Sequence, residues 1–449
     1  MLVLRRLPLE SHPVRLPSSD AQRSDATPAL SALAFFFVLT SYYIIRPVRD
    51  QLGGAVGSTQ LPLFYAATFV AMLALTPVFG VLVARFPRRR VLGWSYSFFI
   101  VCLLAFIPAF IAQDRIGVRT LGVVFFIWVS VFNLFVVSLF WSFMADVFDS
   151  QRAREVFSLI ALGGMAGAIF GPSVTSLLVG LIGVAPLLLV SATMLGVSLL
   201  LLLQISVQHR HSADAEQPVG GSLWAGVREL WSRPFLRSMA ILMFLGDGVG
   251  TLAYALVSDY AKAHFASASE RTAFYAHMDL AANLLGSVLQ FTLTRWLLVR
   301  RGVVRAMVLP QLVNLGLLIM VMLGGHAQVS VLSYSLPLVA LMMAGTRGFM
   351  YGMTKPASDA LYTRVPRETR YKGKNFVDTA VWRFGDVVIT TSISSLVKLG
   401  VSVGSIALIG VGASSLATWI ARKAATSPDL APEIKAGKGE HGTGNESLA

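Results

Sequence analysis

Apolar residues in this chain come in uninterrupted blocks separated by short basic or polar stretches. The blocks fall at 29–47, 60–84, 91–112, 118–142, 156–180, 183–206, 236–259, 272–298, 303–324, 328–352, 375–399 and 401–421. They show neither the strict alternation of a half-buried strand nor the 3.6-residue stripe of a water-facing helix. An α-helix rises 1.5 Å per residue, so about 20 apolar residues cross about 30 Å of hydrocarbon. The pattern predicts an all-α, multi-pass membrane protein of about twelve transmembrane helices. Composition agrees: of 449 residues 55% are hydrophobic and only 13% charged, against about a quarter charged in soluble domains.

Polar stretches set the organisation. They predict a cytoplasmic N-terminal tail (1–27), a six-helix half (28–206), a cytoplasmic linker (207–235), a second six-helix half (236–423) and a disordered cytoplasmic tail (424–449). The first 27 residues lack the compact apolar core of a signal peptide, so the first span is expected to be retained. With the N-terminus inside, alternate loops hold 28 of the Lys and Arg residues, against seven on the other side. That asymmetry predicts both termini in the cytoplasm and a multi-pass protein of the cell inner (plasma) membrane. It also accounts for the net charge of +14. The basic residues form no continuous helix or aromatic-interleaved surface, so a nucleic-acid partner is not expected.

The halves echo each other. Arg85-Phe-Pro-Arg-Arg-Arg90 joins the second and third spans, and Arg300-Arg-Gly-Val-Val-Arg305 joins the eighth and ninth. A charged inner loop precedes the fifth span of each half. This resembles the parallel repeat of the major facilitator architecture, although Ala84 stands where that architecture usually has an aspartate.

Three segments carry a narrower resemblance: Ile44-Ile-Arg-Pro-Val-Arg-Asp-Gln-Leu52, Phe140-Trp-Ser-Phe-Met-Ala145 with Arg152-Ala-Arg-Glu-Val-Phe157, and Lys372-Gly-Lys-Asn-Phe-Val-Asp378. They are similar to segments of the nucleotide transporter family, which includes the ADP,ATP exchangers of plastids and intracellular bacteria. The resemblance implies a carrier of an anionic, nucleotide-like solute, with ATP/ADP exchange as its narrowest form. Arg49 falls where the exchangers have a functional lysine. Val129 and Asp386 fall where they have a glutamate and a lysine, so two charges associated with exchange are absent.

An ionisable group at mid-bilayer costs about 2.5–3.5 kcal/mol on insertion scales, so it usually faces water and a partner. Candidate binding residues are Arg46, Arg49, Asp50, Arg347, Arg383 and Asp386. Arg383 and Asp386 share a helix face. They serve either as a binding pair at about 17 Å depth or as an internally neutralised structural pair. Arg46 is expected to pair with Asp50, four residues on, leaving Arg49 free for an anion, with Pro47 bending the helix between them. The rival reading is a helix end whose long side chains reach for the interface. Asp247, between two glycines, is the most isolated charge: a proton or cation site, or a tolerated neutral carboxyl.

The loops around Asp146 and Asp149 in one half, and Lys372, Lys374 and Asp378 in the other, suggest a cytoplasmic gate of cross-loop ion pairs. Gly163, Gly167 and Gly171, four apart, predict close helix packing. Trp94, Trp128 and Trp141 read as interfacial anchors. Scattered histidines and the single cysteine, Cys102, give no metal site or disulfide. No His-Glu-x-x-His or Gly-x-Ser-x-Gly segment is present, so neither enzymatic activity nor a cofactor is expected. The sequence therefore points to a monomeric carrier in the lipid bilayer, with a small anionic solute as its partner. The alternatives are a carrier of another organic solute and a transport-inactive scaffold that kept the fold.

Overall fold

Inside a bilayer no water reaches the backbone, so apolar segments satisfy their N–H and C=O groups internally as helices. The computed structural model describes residues 26–148, 150–208, 230–325, 327–331, 334–366, 373–374 and 376–430. Most of the N-terminal tail, the central linker and the C-terminal tail therefore lie outside the described residues. The first part of the chain forms α1 (Thr27–Val56), α2 (Leu61–Arg85), α3 (Arg88–Ile111), α4 (Val118–Val147), α5 (Ser150–Ile182) and α6 (Val184–Gln208). The second forms α7 (Pro234–His264), α8 (Ala268–Leu289), α9 (Val303–Gly324), α10 (Leu338–Phe349), α11 (Trp382–Lys398) and α12 (Val403–Ala425).

Among the described residues, nine helices are long and apolar enough to cross a membrane: α1 to α7, α9 and α12. The segments that fall short are the interrupted ones. α8 continues through π turns at Gln290–Thr294 and Leu297–Arg301. α10 continues through a π turn at Met350–Thr354 into the helix Lys355–Tyr362. α11 is entered through a π turn at Val377–Val381. Such turns are uncommon and cluster at functional positions. The tenth apolar block also differs from expectation at its start. Gln328–Val331 (β1) pairs antiparallel with Tyr334–Pro337 (β2), and helix begins only at Leu338, after Pro337. Proline suits the entry to a helix and not its interior.

α1 lies against α5 and α6 along much of its length, because the glycines of α5 leave room for its backbone. A Cβ on Gly163 would stand 2.2 Å from the Ala32 carbonyl oxygen, one on Gly167 2.3 Å from that of Phe36, and one on Gly171 2.9 Å from that of Thr40. Buried hydroxyls complete this seam. Ser198 donates to the Ala34 carbonyl at 3.0 Å, and the Ser41 and Ser191 hydroxyls meet at 2.8 Å. One hydrophobic core draws on α1, α3, α4, α5 and α6, with Phe125, Phe132 and Phe140 at its centre. Trp128 packs inside this aromatic cluster, 5.7 Å from Phe125 and nearly parallel to it. Its ring is partly buried against this core, on the face of α4 that turns toward α3. Two further clusters draw mainly on α7 to α12.

Candidate functional site

Between the two sets of helices lies a cavity of about 370 Å³. α1 lines it with Tyr42, Tyr43, Arg46 and Arg49. Tyr65 of α2 and Phe126 and Asn133 of α4 add to the same wall. Opposite stand Asp247, Thr251 and Tyr254 of α7, Arg347 of α10, Met350 and Tyr351 of its π turn, and Trp382, Arg383 and Asp386 of α11.

The charges pair differently from the pattern expected along α1. Arg49 turns to its neighbour: its Nε and terminal nitrogen donate to Asp50 Oδ1 at 2.8 and 2.6 Å. Its guanidinium also lies 4.5 Å from the centre of the Phe126 ring. Tyr254 donates to the same Asp50 oxygen at 3.3 Å. Arg46 instead reaches across to α8, where its Nε stands 3.5 Å from Asp279 Oδ2. Arg347 holds the other oxygen of Asp279 at 3.1 Å. Consecutive side chains of a helix point about 100° apart, so i,i+4 spacing alone does not decide a pair when a third carboxylate stands opposite. Asp279 is buried and carries two guanidiniums. Helical spacing within α8 gave no sign of this, since both partners come from other helices.

A second cluster lies on α7 and α11. Thr251 donates to Asp386 Oδ1 at 2.7 Å, and Arg383 stands 3.7 Å from Oδ2. The Arg383–Asp386 pair expected from sequence is therefore present, with a third group completing it. Asp247 lines the same cavity as this pair. Val129, by contrast, is buried in the α1–α6 core and contributes nothing to the cavity lining.

The cavity is sealed at the end where α1 terminates. Gly53 and Gly54 pack so closely on the rings of Tyr254 and Tyr275 that a Cβ would stand 2.8 and 2.7 Å from the two phenol oxygens. Beyond them Gly57 turns the chain at φ +81°, a region that favours glycine. The Ser58 N–H donates to Asp259 Oδ1 at 2.7 Å, Lys262 to the Val56 carbonyl at 3.1 Å and Ser394 to the Thr59 carbonyl at 3.1 Å. At the opposite end two ion pairs stand out among the described residues. Lys374 pairs with Asp359 at 2.7 Å and Lys355 with Asp378 at 2.9 Å, both within the second part of the chain. Of the residues expected in a cross-loop gate, Asp149 and Lys372 lie outside the described residues.

Comparison with known families places this architecture. The family model described as Major Facilitator Superfamily matches residues 30–385. The chain belongs to the major facilitator superfamily. It is a multi-pass membrane transporter of that type. No curated protein matches it significantly. Solved structures share the fold at low identity. The nucleoside transporter NupG matches with a TM-score of 0.62 and 14% identity, covering 89% of this chain and 99% of its own. A bacterial homologue of the iron transporter ferroportin, in an inward-facing state, gives 0.61 and 16%, covering 89% and 98%. A variant of the E. coli fucose:proton symporter FucP gives 0.54 and 15%, covering 89% and 98%. These superfamily members differ in solute, so the site itself has to argue the substrate.

Proposed function

We propose that this transporter moves a small organic anion of low charge, of the nucleotide class, by alternating access. The observation that carries this reading is the Arg46–Asp279–Arg347 cluster. Two arginines share one carboxylate there, which leaves one positive charge uncompensated beside the cavity. A guanidinium meets carboxylate or phosphate oxygens with paired donors. The faces of Tyr42, Tyr43, Tyr65, Phe126 and Trp382 offer stacking surfaces for a ring. The remaining charges argue for a low anionic charge on the solute. Arg49 is matched by Asp50, and Arg383 by Asp386. Exchange of ATP for ADP calls for more free positive charge than this, so it is the less favoured form of the reading.

The basic-residue asymmetry supports twelve spans in two sets of six, with both termini in the cytoplasm of a cell bounded by this membrane. In that orientation the sealed end of α1 faces outward and the cavity belongs to an inward-facing state.

The test is a thermal-shift titration of the purified chain with nucleosides, nucleoside monophosphates, ATP and simple organic anions. A ligand at a hundredfold excess over its Kd stabilises the folded state by about 2.7 kcal/mol. Nucleoside monophosphates and other ring-bearing anions of low charge are expected to raise the melting temperature, and Arg347→Ala and Arg49→Ala to abolish that response. A stronger response to ATP than to these anions would overturn the charge argument. No response to any of the panel would favour a scaffold that kept the fold.

A further inference from the structure

Beside the main cavity lies a second, smaller one that the charge pairs do not account for. It holds about 20 Å³, room for a single water molecule or for one amino or hydroxyl group. The two share Gly246, Asp247 and Met350 as a common wall. Met243 and Met307 add flexible, apolar sides to the small chamber. Its polar groups are unevenly engaged. Lys355 is held by Asp378 at 2.9 Å. Gln311 of α9 is only 2% exposed, yet its side-chain oxygen has no hydrogen-bond partner among the described residues. Its amide faces Gly246, with the oxygen and nitrogen 3.6 and 3.7 Å from where a Cβ would stand, and so lies at the shared wall. A buried carbonyl oxygen without a donor is costly, and native structures seldom leave one. Asp247, when ionised, adds only further acceptors to the chamber. What these groups call for is a donor.

We propose that this chamber is a specificity subsite, in which Gln311 accepts a hydrogen bond from one donor of the solute, the exocyclic amino group of a nucleobase. The inference rests on the nucleotide-class reading above. Arg347 and Met350 are three residues apart, about 4.5 Å along a helix. A phosphate on Arg347 and a ring edge at the chamber therefore belong to one bound molecule. The chamber is too small for a ring, so the base stays in the main cavity against the aromatic faces and only its substituent enters. A carbonyl at the same ring position brings two acceptors together, and a bare C–H leaves Gln311 unpaired. An amino group reproduces the hydrogen bond that water would make there, so it displaces water without loss.

The experiment is a thermal-shift titration of the purified full chain with three probes. They are adenosine monophosphate, purine riboside monophosphate (the same molecule without its amino group) and inosine monophosphate (a carbonyl in its place). Wild type is expected to bind adenosine monophosphate about tenfold more tightly than either of the others, the scale of one hydrogen bond to a buried acceptor. Gln311→Met keeps nearly the same volume without the acceptor. It is expected to bind all three alike, as weakly as wild type binds purine riboside monophosphate. Equal binding of the three by wild type overturns the subsite and leaves the anion reading standing. So does a preference for inosine monophosphate, which would mean that Gln311 presents its NH₂ group, or an adenosine preference that survives in Gln311→Met. No response to any of the three overturns the anion reading and the subsite with it. The wild-type comparison needs no variant, so it decides the matter even if Gln311→Met does not fold.

Discussion

Asp279 is the residue on which the site turns. Its two oxygens receive Arg46 from α1 and Arg347 from α10, and all three side chains are mostly out of contact with water. Removing one partner of a buried ion pair strands the rest and typically costs about 3–5 kcal/mol. Asp279→Ala is therefore expected to lose stability on that order in detergent unfolding, with two arginines left unopposed. Adding Arg347→Leu to it should recover most of the loss, since one stranded charge is then removed. Recovery by Arg347→Leu and none from an Arg49→Leu control would identify Asp279 as the electrostatic centre. A neutral Asp279→Ala would show that water already screens the cluster.

The helix seams are set by residues that lack side chains. α5 meets α1 backbone to backbone at Gly163 and Gly167, while Gly180, further along the same helix, has no atom within 4 Å of its Cβ position. Without a hydrophobic driving force between helices in lipid, such close approach supplies dispersion and hydroxyl–carbonyl contacts in its place. A side chain at Gly167 must push the Phe36 carbonyl away, and forced repacking of this kind costs about 1–3 kcal/mol or more. Gly167→Val should lower the melting temperature of the purified protein or prevent its accumulation, whereas Gly180→Ala should leave both unchanged. Equal behaviour of the two variants would mean that α5 is free to shift along α1. A similar crossing joins α8 and α10, where Gly352 lies so near Gly286 that a Cβ would stand 2.5 Å from its carbonyl oxygen. It sits in the π turn that also presents Met350 and Tyr351 to the cavity, so the same irregularity permits packing and shapes the site.

At the scale of the molecule, the sealed end and the basic loops bear jointly on orientation. Asp259 on the Ser58 N–H, Lys262 on the Val56 carbonyl and Ser394 on the Thr59 carbonyl tie α1 and its following turn to α7 and α11. In the orientation proposed from the Lys and Arg asymmetry, that end lies outside. Single cysteines at Gln113 and Gln328, in a Cys102→Ser background, should then react with an impermeant maleimide added outside intact cells. A cysteine at Ser212 should react only after permeabilisation. The reverse pattern at Ser212 would invert the carrier and make the sealed end cytoplasmic.

The amino-acid sequence by itself determined the class of molecule. Apolar block length and loop charge are local quantities, and the bilayer reads them locally, so helical architecture, the close packing of α5 through its glycines and the charged residues Arg46, Arg49, Arg347, Arg383 and Asp386 that line the cavity were all legible. The nucleotide transporter resemblance rested on local segments as well, and it reached the superfamily without fixing the solute. What the tertiary structure decided was which charges meet. Arg46 had an aspartate four residues away on its own helix, yet pairs with Asp279 on another, and Asp386 is held by Thr251, 135 positions away. A charge in low dielectric is held by whichever opposite group the packed helices bring nearest. That distance is a property of helix crossings, which are set by glycines, hydroxyls and π turns far from the charges they bring together.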